Sequence, residues 1–347
     1  MSPLKLAILS TFTLLFLACG GDQDPDKRFK IELEGNPKVL KRYDKFRVSV
    51  VDKEGLTIPD ATYSIDGKTL SSENQQLNFD LPYLGNRELQ ARFDIEGKPV
   101  VIRKKIRVLA DKPPQLYTYE IVNEYPHDIK AFTQGLEFHN DTLYESTGRK
   151  GTSLIRKIAY ETGEVLQQTD LDKAYFGEGI TILGETVYQL SWQKRTGFLY
   201  DRNSLKEKGR FQYGKSREGW GLCNDGEKIY KSDGTEKIWI LNPNTLEEED
   251  FLQIVTDKSV FNKANELEYV DGKIYANVWQ KESMMIVDAE SGAIEGVINF
   301  GGLKKQVKQH SELDVLNGVA YHPGRKTLFV TGKNWDKLFE VRVKPKE

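Results

Sequence analysis

One short pattern recurs five times along the chain, and it limits the possible folds more than any other feature. Gly135-Leu136-Glu137-Phe138 leads to Leu143-Tyr144, Gly179-Ile180-Thr181 to Val187-Tyr188, and Gly221-Leu222-Cys223 to Ile229-Tyr230. Glu266-Leu267-Glu268-Tyr269 then leads to Ile274-Tyr275, and Gly318-Val319-Ala320-Tyr321 to Leu328-Phe329. The aromatic anchors 144, 188, 230, 275 and 329 are about 44, 42, 45 and 54 residues apart, the length of a four-stranded propeller blade. Each repeat also carries a later strand ending in a turn, as in KIAYETGEV, FLYDRNSL, IWILNPNTL and MIVDAESGAI. A ring of blades has to close, and the unrepeated run Leu116 to Val122 is placed to complete the last one. The expected architecture is all-β, a five-bladed β-propeller over 115–347.

Ahead of it, residues 29–112 read differently. FKIELEG, FRVSVVDKEG, ATYSIDGK, QLNFDLPY, ELQARFDIEG and VVIRKKIRVL alternate apolar and polar residues between Gly and Asp-Gly breaks, which predicts a small immunoglobulin-like β-sandwich. Asp111-Lys112-Pro113-Pro114 marks a stiff boundary. Residues 1–18 carry Lys5 followed by an apolar stretch too short to span a bilayer, and end at Ala18-Cys19-Gly20. This is the form of a lipoprotein signal peptide with Cys19 as the lipidated residue. The expectation is an exported bacterial lipoprotein, anchored to the membrane through Cys19 and facing the periplasm or cell surface. The polar residues 19–28 are then a flexible tether. With Cys19 modified, Cys223 has no partner and reads as a small buried apolar residue.

Composition and motifs exclude several functions. A net charge of -2 without a basic block argues against nucleic-acid binding. Gly209 to Ser216 (GRFQYGKS) fits the phosphate-loop pattern, but it lacks the preceding buried strand and following helix that phosphate binding requires. The four histidines, His127, His139, His310 and His322, have no ligand spacing, so no metal centre is expected from them.

The unusual segments all lie near the starts of repeats, where propeller blades converge on the central channel. They are Phe132 to Leu136, Phe176 to Gly179, Gly219 to Leu222, Asn265 to Glu268 and Leu316 to Gly318. Glycines flanking Glu178 would turn the backbone and present that carboxylate uncovered. Gln134, Glu178, Asn265 and Lys333 fall at corresponding places, joined by Trp192, Trp279 and Trp335. Polar groups there are poor packing material unless they meet something.

Taken in order, FTQGL, ESTG, FGEGIT, GWGL, SDG, NELEY, YANVW, LNGVAY and TGKNW with FEV resemble the glutamine cyclotransferase family, the plant and bacterial type, from about Tyr119 to Val341. Lys150, where the family more often has an aromatic residue, and Asp336, where it more often has proline, depart from the pattern at the site rim. The resemblance implies conversion of the N-terminal glutamine of peptides and proteins to pyroglutamate with release of ammonia. It implies Glu178 as the proton-transfer group, with Lys333 and Asn265 suited to the oxyanion or amide oxygen. Phe132, Gln134, Phe176, Trp192, Trp220, Glu266, Trp279 and Trp335 would bind substrate, Glu266 being the next candidate for proton transfer. No cofactor or metal is required by such a scheme, a structural calcium ion in the channel is compatible with it, and a monomer is expected. Two other classes remain at this point: a non-catalytic anchored propeller that binds peptides or glycans, and a propeller oxidoreductase, for which no haem or quinone signature is present.

Overall fold

The structure is a computed structural model that describes residues 25–347 apart from 54–56, 59 and 74–75. The proposed signal peptide and Cys19 lie outside the described residues. Of the expected tether, 25–28 are described, and they are not extended: Pro25–Arg28 form one helical turn that runs into the first strand, with the Arg28 guanidinium 4.8 Å from the centre of the Phe29 ring.

Residues 29–109 form two five-stranded sheets around one core. The alternation in the sequence is the alternation of burial: Phe29–Leu33 and Gly85–Ile95 turn every second side chain inward. The six expected strands are present as Phe29–Leu33, Lys45–Asp52, Thr62–Ile65, Gln76–Asn78, Gly85–Ile95 and Lys98–Leu109. Four two-residue strands, too short to leave a periodic signal, complete the sheets.

From residue 115 onward there are five four-stranded antiparallel units. Three are separate sheets, and the other two are joined into one eight-stranded sheet. Their first strands, Thr133–His139, Gly177–Leu183, Leu222–Asn224, Ala264–Val270 and Leu316–His322, pack against one another in cyclic order around a central axis. These inner strands are buried on both faces, whereas outer strands such as Glu164–Asp170 are largely exposed, which is why only the inner ones read as continuous motifs. The ring closes as expected, with a longer strand. Gln115–Pro126 pairs antiparallel with the C-terminal strand Lys337–Pro345 as the outermost strand of the fifth unit. Its first residues, Gln115 to Tyr117, also run parallel to Ile294–Asn299 of the fourth unit, which joins the two units.

The sandwich is not an independent appendage. Val255 is part of its core, and Val260 and Ala293 pack on that core. Leu84 and Ala110 donate backbone hydrogen bonds to Ser291 (3.1 Å) and Thr256 (3.1 Å). The Lys41 ammonium donates to the carbonyl of Asp257. A fragment of 111–347 keeps the closing strand but uncovers this apolar face. It is expected to melt well below the full chain while each folded molecule retains turnover within a few-fold. Equal melting temperatures in a thermal scan would show that the contact contributes nothing to stability.

Candidate active site

Glu178 lies in a strand rather than a turn. Gly177–Leu183 is extended, with a register shift between Gly177 and Ile180. The flanking glycines are required by close approach: a Cβ on Gly179 would stand 2.6 Å from the Cα of Gly221, and one on Gly177 would stand 2.7 Å from the Thr147 carbonyl. The inner strands can therefore meet closely at the axis only without side chains there.

Around the mouth the aromatic side chains form a wall of two contacting groups. Phe132 meets Phe176 edge to face at 6.1 Å, and Phe176 meets Trp192 at 5.7 Å. Trp220 meets Trp279 at 5.7 Å. The Lys333 ammonium sits 4.8 Å from the centre of the Phe132 ring, and that of Lys263 lies 5.3 Å from Trp279. These rings come from four units and Lys333 from the fifth, as convergence at the channel requires.

The polar groups are nearly enclosed. Glu178 and Lys333 are each 5 % exposed, Gln134 and Asn265 each 3 %. Burial pushes the Glu178 carboxyl well above its ordinary range; the Lys333 charge opposes this and that of Glu218 adds to it. Burial likewise pushes Lys333 down, opposed by Glu178 and Asp314. Both groups are thereby biased toward their neutral forms, which suits proton exchange near neutral pH. Serines on neighbouring second strands fix the backbone of these positions: Ser146 donates to the Glu178 carbonyl and Ser232 to the Asn265 carbonyl, each at 2.6 Å. Gln134 accepts a hydrogen bond from the Asn317 amide at 3.2 Å.

Two expected substrate residues are not at the mouth. Trp335 is fully buried, packed on Phe339 and donating its indole N–H to the Asp314 carbonyl at 3.1 Å. Glu266 is also fully buried, and its two oxygens accept the backbone N–H groups of Leu136 (3.2 Å) and Val319 (2.8 Å). It ties the first and fifth inner strands to the fourth. Glu268 does the same for Tyr321 (2.8 Å), and Glu137 for Ile182 (3.0 Å). These axial carboxyls serve backbone donors, and among the described residues no group of three or more His, Cys, Asp or Glu is arranged to hold a metal ion. Cys223 is buried, and burial raises its thiol well above the usual range, as an inert packing residue requires.

Sequence reasoning missed Glu218. One of its oxygens accepts both indole N–H groups of the wall, Trp192 at 2.8 Å and Trp220 at 2.9 Å. Its only sequence signal is its place directly before GWGL. The phosphate-loop lookalike holds a different acid: the backbone N–H groups of Lys215 and Ser216, which would face a phosphate, donate instead to Glu248 at 2.6 and 2.8 Å. Asp336, one of the two departures at the rim, accepts the Lys308 N–H at 2.9 Å and pins that loop.

The axial carboxyls make stability depend on pH. Burial raises Glu137 to about 8, opposed by its hydrogen bonds from Thr181 and Ile182. A carboxyl whose folded value lies above its unfolded value binds its proton preferentially in the folded state. Its contribution is complete below about 4.5 and is lost as pH rises toward 8. The melting temperature is expected to fall across that window, and Glu137→Gln to flatten the slope. A slope unchanged by the substitution would remove Glu137 as its origin.

The fold and these side chains define a class: a five-bladed propeller whose inner strands carry a desolvated acid and amine beside a set of aromatic rings. The sequence model described as glutamine cyclotransferase matches residues 99–343, and the chain belongs to that family. It is 40% identical over 235 residues to a glutaminyl-peptide cyclotransferase of Arabidopsis thaliana, covering 65% of this chain and 71% of the relative. It also resembles the crystal structure of Myxococcus xanthus glutaminyl cyclase, with 33% identity, a TM-score of 0.63, and coverage of 67% of this chain and all of that one.

Proposed function

We propose that this protein is a glutaminyl-peptide cyclotransferase in which Glu178 carries the proton. The observation behind this reading is the enclosure of Glu178 and Lys333, whose charges act on each other, in a chain of this family. The α-amine of an N-terminal glutamine attacks the carbon of its own γ-carboxamide. One C–N bond forms, another breaks, and ammonia leaves. A neutral Glu178 carboxyl gives its proton to the departing nitrogen and recovers one from the attacking amine, so the enzyme ends as it began. The Lys333 amine and Asn265 amide serve the developing oxyanion, and Gln134 the amide edges of the substrate. Phe132, Phe176, Trp192, Trp220 and Trp279 hold the side chain folded for ring closure. Lipidation of Cys19 after removal of 1–18, export to the periplasm or cell surface, and a monomeric state complete the proposal, on the sequence grounds given above.

The test is ammonia release from peptides beginning with Gln, Asn or acetyl-Gln, with and without EDTA. Only the free Gln peptide is expected to react well, because acetylation removes the nucleophile and Asn would have to close a strained four-membered ring. EDTA is expected to leave the rate unchanged, since every step uses a protein group. Acetyl-Gln turnover at the free-amine rate, or dependence on an added metal, would contradict the reading.

A further inference from the structure

The wall formed by Trp192 and Trp220 depends on an acid that belongs to neither blade motif. Trp192 precedes the two outer strands of the second unit, Thr196–Asp201 and Glu207–Gln212, and Trp220 follows them, yet their indole N–H groups converge on the same oxygen, Oε2 of Glu218. Among the described residues, the other oxygen has only a long contact from the Gln193 amide, 3.5 Å. The backbone at Glu218 is itself anchored. Its carbonyl accepts the buried Lys231 ammonium at 2.8 Å, and Lys231 pairs with Glu248 at 3.3 Å and donates to Ser216. Gly219 donates to the Trp192 carbonyl at 3.0 Å and Trp220 to that of Ser232 at 3.0 Å, so both indoles leave a fixed backbone. Their remaining freedom is side-chain rotation, and each ring touches a further wall residue, Phe176 or Trp279.

We infer that Glu218 is a positioning residue for substrate: its single oxygen sets the orientation of Trp192 and Trp220, and so the width of the pocket that receives the N-terminal side chain. The inference rests on the mouth being the substrate site. Two bonds on one atom couple the rings to each other, so the place of that oxygen fixes both at once.

Two conservative variants separate geometry from charge. Glu218→Gln keeps an oxygen at the same reach, and because both indoles use one oxygen, the amide can still accept both. Glu218→Asp keeps the charge and withdraws the oxygen by one methylene. KM for a Gln-initiated dipeptide is expected to stay within about threefold of the parent in Glu218→Gln and to rise roughly tenfold or more in Glu218→Asp, with kcat less affected. Near-ultraviolet circular dichroism of the indoles, which requires no turnover, is expected to be retained in Glu218→Gln and diminished in Glu218→Asp. This readout distinguishes failure of the inference from failure of the cyclase reading. The reverse order of the two variants would assign the role to charge, and no change in either would remove it; both results overturn the inference.

Discussion

Replacing Glu178 by glutamine is expected to leave the propeller folded and to lower turnover of Gln-initiated peptides by about a hundredfold or more. The fold should tolerate the change because burial already disfavours the charged form of this carboxyl, and the amide is nearly isosteric with the neutral one. The chemistry should not tolerate it, because an amide cannot exchange a proton with amine and leaving group in turn. The defect belongs in kcat, with KM little changed, since the wall that binds the side chain is untouched. Glu266 cannot substitute, as both its oxygens are committed to Leu136 and Val319. Near-parental turnover of a folded Glu178→Gln variant would move the proton-transfer role elsewhere.

The second large effect concerns stability. Arg156→Met is expected to destabilise the protein by about 3–5 kcal/mol, because it leaves the Glu145 carboxylate buried without its main countercharge. Arg156 meets Glu145 at 2.7 and 2.8 Å, and Glu145 is fully enclosed. Burial alone would raise this carboxyl, but the Arg156 and His127 charges hold it far below the usual range. The loss should spread toward the site. His127 binds the other Glu145 oxygen at 3.0 Å and the Trp335 carbonyl at 2.9 Å. Asn334 donates to the carbonyls of Ala131 (2.7 Å) and Ile129 (3.1 Å). These bonds join the segment before Phe132 to the segment after Lys333. Denaturant unfolding measures the effect, and the double variant with Glu145→Gln should recover part of it, since no charge is then stranded. A single-variant cost below about 1 kcal/mol would mean that water reaches Glu145.

How much the sequence reveals follows from what each residue faces. The repeat period exposed the propeller because inner strands packed on both sides must be written in small and apolar residues, and Gly179 and Gly221 mark where backbones touch. Phe132, Gln134, Phe176, Glu178, Trp220, Asn265 and Trp279 stood out as candidates because they sit in those strands or at their ends. Trp335 and Glu266 share the motifs but point elsewhere. Glu266 and Glu268 both accept N–H groups from the strand Leu316–His322, a use that the register shift between Ala264 and Leu267 hides from simple alternation. Glu218 was invisible because its role exists only once two distant indoles converge on it. The attachment of the sandwich was equally hidden, since Val255 and Val260 read as ordinary core residues whichever core they join.

The most direct measurement compares leaving groups. Cyclisation of an N-terminal glutamine peptide is followed beside that of the same peptide carrying a glutamate γ-aryl ester, whose phenolate departs without taking a proton, after subtraction of spontaneous closure. If Glu178 delivers the proton to departing ammonia, Glu178→Gln loses a hundredfold or more on the amide and far less on the ester. An equal loss on both substrates, or none on either, would contradict the assignment of Glu178 as the proton shuttle.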